Sequence, residues 1–172
     1  RIQALPIALA VSLVALTGAV VTVQQTAFDR HYLTAIVTED RQDWSKMESA
    51  SRSALEIGPY RPHAFVINGR ALEKLGRYEE AEAAYRSALR VAPNSWHAKN
   101  GLGVTLKRQG RNDEAMVTYE GALAIYPRAI SVRTNLGALY RAMGNEYKAE
   151  EAFREVLSVA PGDEGANNNL GN

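Results

Sequence analysis

The segment Pro62–Ser95 reads PHAFVINGRALEKLGRYEEAEAAYRSALRVAPNS. Apolar residues at a spacing of three and four predict two amphipathic helices within it. We expect the first helix to end at Gly76, because glycine favours the position just after a helix, and the second to run from about Tyr78 until Pro93 stops it. Such a hairpin has a wide apolar face, which only stacking on a similar unit can bury.

This unit recurs along the chain with a period of 34 residues. We call a set of residues at the same position of successive units a column, and five independent columns keep this period. They are prolines at 93, 127 and 161, glycines at 69, 103, 137 and 171 and again at 76, 110 and 144, alanines at 81, 115 and 149, and aromatic residues at 85, 119 and 153. The small residues leave room for the aromatic ring between the helices. The sequence therefore predicts a stack of helical hairpins.

The units at 62–95, 96–129 and 130–163 resemble tetratricopeptide repeats, a family whose members place small and large residues alternately on two antiparallel helices and end each unit with proline. The resemblance implies an all-α, right-handed solenoid. Residues 28–61 follow the register weakly, with Ala35 and Gln42 at the glycine positions, and we interpret them as a degenerate first repeat. Residues 164–172 resemble the start of a truncated fourth repeat, so we expect either a longer natural chain or another subunit that covers this end.

An apolar segment precedes the repeats. Ala4–Val23 holds 20 residues without a charge, enough for a single membrane-spanning helix, so we assign 1–27 to a transmembrane helix and a juxtamembrane segment. A cleaved signal peptide, with a small-residue site at Thr17–Ala19, is the alternative. The side of the membrane stays open, with the periplasmic side preferred if the protein is bacterial.

Small residues form one stripe of this segment, and they predict a face that packs on another membrane helix, although an alanine-rich span also produces such a stripe by chance. The face consists of Ala4, Ala8, Ser12, Ala15, Ala19 and Thr22.

Composition and motifs exclude several functions. The chain has no cysteine, and its 20 basic and 19 acidic side chains leave it almost neutral, which is untypical of a nucleic-acid binder. His63 and His97 share one column, but no third metal ligand accompanies them. No phosphate-binding loop, dinucleotide fingerprint or nucleophile–base pair is present. We predict a protein that is not an enzyme and that uses no metal, cofactor, nucleic acid or small-molecule substrate.

The resemblance implies that the first helix of each repeat lines a concave groove for a partner. The groove residues that it implies are polar and basic, which would suit an extended peptide with acidic groups, although solvated helix faces are also polar. They are Arg70, Lys74, His97, Asn100, Lys107, Arg108, Thr134, Asn135, Arg141, Asn168 and Asn169. Because Val66 and Gly101 stand at two positions of the family's clamp for chaperone tails, we do not infer that function.

We therefore predict a membrane-anchored scaffold or adaptor, an accessory or assembly subunit of a larger membrane complex with a protein or peptide in its groove. One alternative is the C-terminal repeat region of a larger multi-span membrane enzyme, because the order of a span, a weak repeat and good repeats resembles the end of some O-antigen ligase or polymerase-like glycosyltransferases. Another is a secreted adaptor released by signal cleavage.

Overall fold

The computed structural model describes the backbone of residues 7–171 and the side chains from Val20 to Gly171. That part of the chain consists of helices and short loops, without a β-strand. The helices are α1 (Ile7–Asp40), α2 (Trp44–Ile57), α3 (Pro62–Lys74), α4 (Tyr78–Val91), α5 (Trp96–Arg108), α6 (Asn112–Ile125), α7 (Ile130–Ala142), α8 (Glu146–Val159) and α9 (Glu164–Leu170).

Each helix packs on its neighbours in chain order, which produces a stack of hairpins. The turns inside the three regular hairpins use glycine in the left-handed conformation, with φ of 75° at Gly76, 77° at Gly110 and 79° at Gly144. The weak first hairpin, made of the second half of α1 and of α2, keeps the same turn with Gln42 at φ 56°. A non-glycine residue in this conformation costs backbone energy, so the turn is retained at the expense of strain.

Aromatic rings of the second helices fill the space left by glycines of the first helices. A methyl group added at Gly69 would lie 2.9 Å from Cε1 of Tyr85, and one added at Gly103 would lie 2.5 Å from Cε1 of Tyr119. The ring of Tyr85 also meets Gly101 of the next hairpin, where an added methyl group would lie only 2.3 Å away. Rings and glycines thus set how closely the helices approach within and between hairpins.

Arginine–glutamate pairs tie adjacent hairpins together on the other face of the stack. Glu82 of α4 accepts hydrogen bonds from Arg86 of its own helix at 2.8 Å and from Arg111 of the next turn at 2.7 Å. One period earlier, Glu48 pairs with Arg52 of its own helix and lies 3.7 Å from a guanidinium nitrogen of Arg77. We call these two clusters the ion-pair ladder. One period later Met116 and Asn145 occupy the corresponding positions, so the ladder has no third rung.

The all-α solenoid is therefore confirmed, whereas the transmembrane helix before it is not supported. The predicted span lies mainly in residues 1–19, whose side chains are outside the described part, as are Ala4, Ala8, Ser12, Ala15 and Ala19 of the predicted packing face. Thr22 of that face is described and is exposed. Among the residues that the structure describes, no helix has both the length and the apolar character needed to cross a bilayer. The backbone of α1 is a single helix from Ile7 to Asp40.

Candidate functional site

A concave groove of about 410 Å³ lies between the end of α1 and helices α3, α5 and α7. Its position follows from the hairpin stack, because the first helix of each repeat faces the inside of the curve. Four of the predicted groove residues line it, Arg70, Lys74, His97 and Asn100. Residues that the sequence analysis did not select also line it, including Glu39, Glu73, Tyr85, Trp96 and Ser131.

Two of the groove's cations are already engaged at its α1 end. Arg70 forms an ion pair with Glu39 of α1. The ammonium group of Lys74 lies 5.7 Å from the ring centre of Trp44, within the range of a cation–π interaction. The end of α1 and the start of α2 therefore occupy the cations at this end of the groove.

The floor of the groove carries a carboxyl group that the sequence analysis missed. Burial raises the pKa of Glu73, against the opposing effect of the nearby charges of Lys74, Arg108 and Arg70. Burial, and then the adjacent carboxylate of Glu73, also raise the pKa of Tyr85 far above its ordinary value. The 34-residue period could have identified Glu73, since it shares a column with Lys107 and Arg141, which were both predicted to lie in the groove. The same position on successive first helices thus changes from acidic to basic along the groove.

The other basic residues of the predicted set, Lys107, Arg108 and Arg141, do not line this cavity and differ in their contacts. Lys107 and Arg108 form no ion pair within the described structure. Burial, followed by the charge of Arg108, lowers the pKa of Lys107. Arg141 is 3.4 Å from Glu146, and its guanidinium lies 5.2 Å from the ring centre of Phe153. Lys107 and Arg108 are therefore the cations best placed to receive an anion from outside.

The asparagines of the groove pair with each other and with their own helices. Asn135 of α7 donates a hydrogen bond to the amide oxygen of Asn100 of α5 at 3.0 Å. Asn169 donates to the carbonyl of Gly165 and accepts from Arg141 at 3.2 Å. Asn168 is exposed. The side chains of Asn100, Asn135 and Asn169 are thus held in place by internal hydrogen bonds, and each amide still has donor or acceptor capacity left.

His97 and Thr134 complete the predicted set. The ring of His97 stacks on Trp96 with centroids 3.6 Å apart, and burial, followed by the charges of Arg70 and His63, lowers its pKa. The hydroxyl of Thr134 donates to the carbonyl of Ile130 at 3.1 Å. No cluster of three or more metal-ligating side chains occurs among the residues described.

Comparisons with known proteins agree on the fold. Two family models described as tetratricopeptide repeat match residues 68–130 and 130–163, together more than half of the chain. No curated protein matches the sequence.

Solved structures resemble the chain at low sequence identity. The structure of Pseudomonas aeruginosa pilF has a TM-score of 0.77 at 23% identity, over 86% of this chain and 67% of that one. YrrB, described as a TPR protein with an unusual peptide-binding site, has a TM-score of 0.71 at 21% identity, over 86% and 76%. MamA has a TM-score of 0.70 at 19% identity, over 84% and 79%.

These structural likenesses concern the fold alone, and the comparisons do not favour the glycosyltransferase alternative. The family models, however, cover the units that carry the columns of glycine, alanine, proline and aromatic residues. The chain belongs to the tetratricopeptide repeat family.

Proposed function

We propose that the protein is a non-enzymatic scaffold that holds an extended, acidic segment of a partner protein in the concave groove. The observation that carries this proposal is the pair Lys107 and Arg108, which have no ion-pair partner in the described structure. They stand one period after Glu73 and Lys74, which line the groove. A groove of about 410 Å³ has room for a few residues of an extended chain. The peptide-binding site named for YrrB is a precedent within the same fold.

The polar groups of the groove supply two kinds of contact. The paired amides of Asn100 and Asn135 are fixed relative to each other, so their free donor and acceptor positions can meet a peptide backbone at little entropic cost. Lys107 and Arg108 attract carboxylates of the peptide, and Arg can bind one in a bidentate manner. The carboxyl group of Glu73 disfavours acidic side chains close to it, which would place them nearer α5 and α7 than α3.

Peptide binding tests this proposal. The probes are fluorescein-labelled twelve-residue peptides of repeated Gly-Ser-Glu, with Gly-Ser-Gln and Gly-Ser-Lys versions as controls, measured by anisotropy with the full chain in a mild detergent. We expect the Glu peptide to bind at least about tenfold more tightly than the Gln peptide, which corresponds to roughly 1.4 kcal/mol. Equal affinity for the Glu and Gln peptides would contradict the electrostatic part of the proposal.

A matched pair of variants locates the binding. Arg108→Glu reverses a charge one period after Lys74 of the groove lining. Arg90→Glu reverses an exposed charge on α4, whose guanidinium donates a hydrogen bond to Ser87 and forms no ion pair in the described part of the chain. We expect Arg108→Glu to weaken the Glu peptide by about tenfold and Arg90→Glu to have little effect. If both variants weaken binding equally, the peptide is attracted by overall charge and not by the groove.

We also propose that Ala4–Val23 anchors the protein in a membrane as a single span and that the protein is an accessory or assembly subunit of a larger membrane complex. The support is the charge-free run of 20 residues directly before the repeat stack. If the segment is a membrane anchor, the full chain should float with lipid vesicles after alkaline extraction. If the protein is a subunit of a membrane complex, affinity purification from solubilised native membranes should retain an integral membrane protein. Recovery in the supernatant, or a monodisperse monomer without a partner, would count against it.

A further inference from the structure

All loops that join one hairpin to the next lie along one edge of the stack. Tyr126, at the start of the third such loop, stacks on Trp96 just after the second, with ring centroids 5.2 Å apart. His63 and His97, which follow the first and second loops, are close enough for their charges to interact. We call the segments 57–63, 91–97 and 125–131 the loop edge.

The loop edge and the opposite edge differ in net charge. The three segments of the loop edge contain no acidic residue, and they carry Arg61 and Arg128, both exposed. The corresponding segments of the opposite edge, 40–46, 74–80 and 108–114, have no net charge, because their acidic and basic residues balance. The six acidic residues are Asp40, Asp43, Glu79, Glu80, Asp113 and Glu114, and the six basic ones are Arg41, Lys46, Lys74, Arg77, Arg108 and Arg111. The fourth loop of this kind, which is furthest along the stack from α1 and is not included in the loop edge, has Asp163 and is followed by Glu164.

The loop edge also exposes the side chains that favour a lipid–water interface. Tyr60 is 82% exposed, and Tyr126 and Val91 are 44% and 40% exposed. Tyrosine and arginine next to small apolar side chains are typical of the headgroup layer, where the ring stays in an amphipathic environment and the guanidinium meets phosphate. Exposed apolar residues such as Tyr147 occur near the opposite edge as well, so the charge difference is what distinguishes the two.

Helix α1 brings the loop edge next to the apolar segment. Arg61 of the first loop hydrogen-bonds the side chain of Gln25, and its guanidinium lies 4.2 Å from the ring centre of Phe28. Gln25 follows Val23, the last residue of the apolar segment, by two positions, which is about 3 Å along a helix. The headgroup layer of a bilayer is roughly 5 to 8 Å thick, so the first loop would lie at its depth.

We propose that the loop edge rests on an anionic lipid surface and orients the repeat stack on the membrane. This inference depends on the membrane anchor proposed above and adds a second, independent contact to it. Because α1, α3 and α5 run in the same direction in the stack, the loops that precede α3 and α5 face the same bilayer, while the opposite edge points away from it. The concave groove then opens sideways, parallel to the membrane plane, towards a partner in the same membrane.

Tryptophan quenching by lipids with a spin-labelled headgroup tests the orientation, using the full chain in vesicles of phosphatidylcholine and phosphatidylglycerol. The chain supplies its own matched pair, because Trp96 lies on the loop edge and Trp44 lies on the opposite edge. The variants are Trp44→Phe, which leaves Trp96, Trp96→Phe, which leaves Trp44, and Tyr60→Trp in a background without the two native tryptophans. Circular dichroism confirms that each variant is folded.

We expect Trp96 and the tryptophan at position 60 to be quenched at least about threefold more strongly than Trp44, since interfacial side chains lie at the depth of the label. Equal quenching, or stronger quenching of Trp44, in protein that floats with the vesicles would overturn the proposal while leaving the anchor intact. Failure to float would overturn the anchor and the orientation together.

A charge reversal gives a second test with its own control. Arg128→Glu places a negative charge on the loop edge, and Arg41→Glu does the same at the opposite edge; both arginines are exposed and form no ion pair in the described part of the chain. We expect Arg128→Glu to reduce the quenching of Trp96 by about twofold or more on anionic vesicles and Arg41→Glu to leave it unchanged. If the two variants behave alike, lipid charge does not hold this edge, and a protein surface becomes the better candidate.

Discussion

Replacing Gly101 with alanine gives the sharpest test of how the hairpins are held together. The added methyl group would lie 2.3 Å from Cε1 and Cζ of Tyr85 and 2.7 Å from its hydroxyl oxygen. The ring cannot turn away, because it is 2% exposed and also packs on Gly69 of α3. Helix α5 must therefore move by about 1 Å, and overpacking of this kind costs about 1 to 3 kcal/mol.

Alanine also favours a helix over glycine by about 1 kcal/mol, which offsets part of this cost. We therefore expect Gly101→Ala to lower the free energy of unfolding by up to about 2 kcal/mol. The assay is urea denaturation of the full chain in a mild detergent, followed by circular dichroism. Gly121→Ala is the matched control, since its methyl group would meet nothing closer than the Lys99 ammonium at 3.5 Å and should gain stability.

The same substitution in a Tyr85→Leu variant tests whether the clash with the Tyr85 ring causes the loss of stability. Tyr85→Leu removes the ring atoms that the new methyl group would meet, so Gly101→Ala should be neutral or stabilising in that background. If Gly101→Ala stabilises the chain that retains Tyr85 to the same extent as Gly121→Ala does, the reasoning is refuted.

Three further changes can be measured in the same assay. Glu82→Gln should cost about 0.5 to 1 kcal/mol at neutral pH. Burial raises the pKa of Glu82, but its hydrogen bonds and the charge of Arg111 lower it on balance. The contribution is therefore present above the ordinary pKa of glutamate, and the difference between variant and parent should vanish as the pH falls through the depressed pKa. Tyr119→Phe should be neutral or stabilising by about 1 kcal/mol, because the buried hydroxyl has no hydrogen-bond partner among the described atoms; a clear loss of stability would show that it has one. Gly76→Ala should cost about 1 kcal/mol and Gly76→Asn less, because the backbone has φ 75° and an added Cβ would meet no atom within 4 Å. Equal costs for the two variants would exclude backbone strain as the cause.

The hairpin stack was predictable because its determinants recur. A glycine in the left-handed conformation is needed at each turn, and a small residue is needed wherever an aromatic ring approaches a backbone. Both requirements leave columns at a period of 34, and the structure places Gly76, Gly110 and Gly144 at positive φ. The weak first hairpin departs from the column at Gln42, yet its turn has the same conformation, because the packing of α1 on α2 imposes it.

The details of the groove were less predictable, because they depend on partners that do not follow the period. Arg70 is neutralised by Glu39, which belongs to the part of α1 where the repeat pattern is weakest. Asn135 pairs with Asn100, which lies 35 positions earlier and therefore one position outside its own column. The 34-residue period shows which side chains share a face of the stack. Which hydrogen-bond partner each of them takes depends on side-chain rotamers, which the sequence pattern does not encode.

The ion-pair ladder has a consequence for the dynamics of the stack. Its rungs join the first three hairpins, and at the next junction Met116 and Asn145 stand in place of glutamate and arginine. In a linear array each junction contributes its own free energy, so local opening is most frequent at the junction that lacks the ladder. Amide hydrogens of α7 and α8 should therefore exchange faster than those of α3 and α4. Fraying would begin at the end remote from α1, and a ligand that bridges α5 and α7 would slow it.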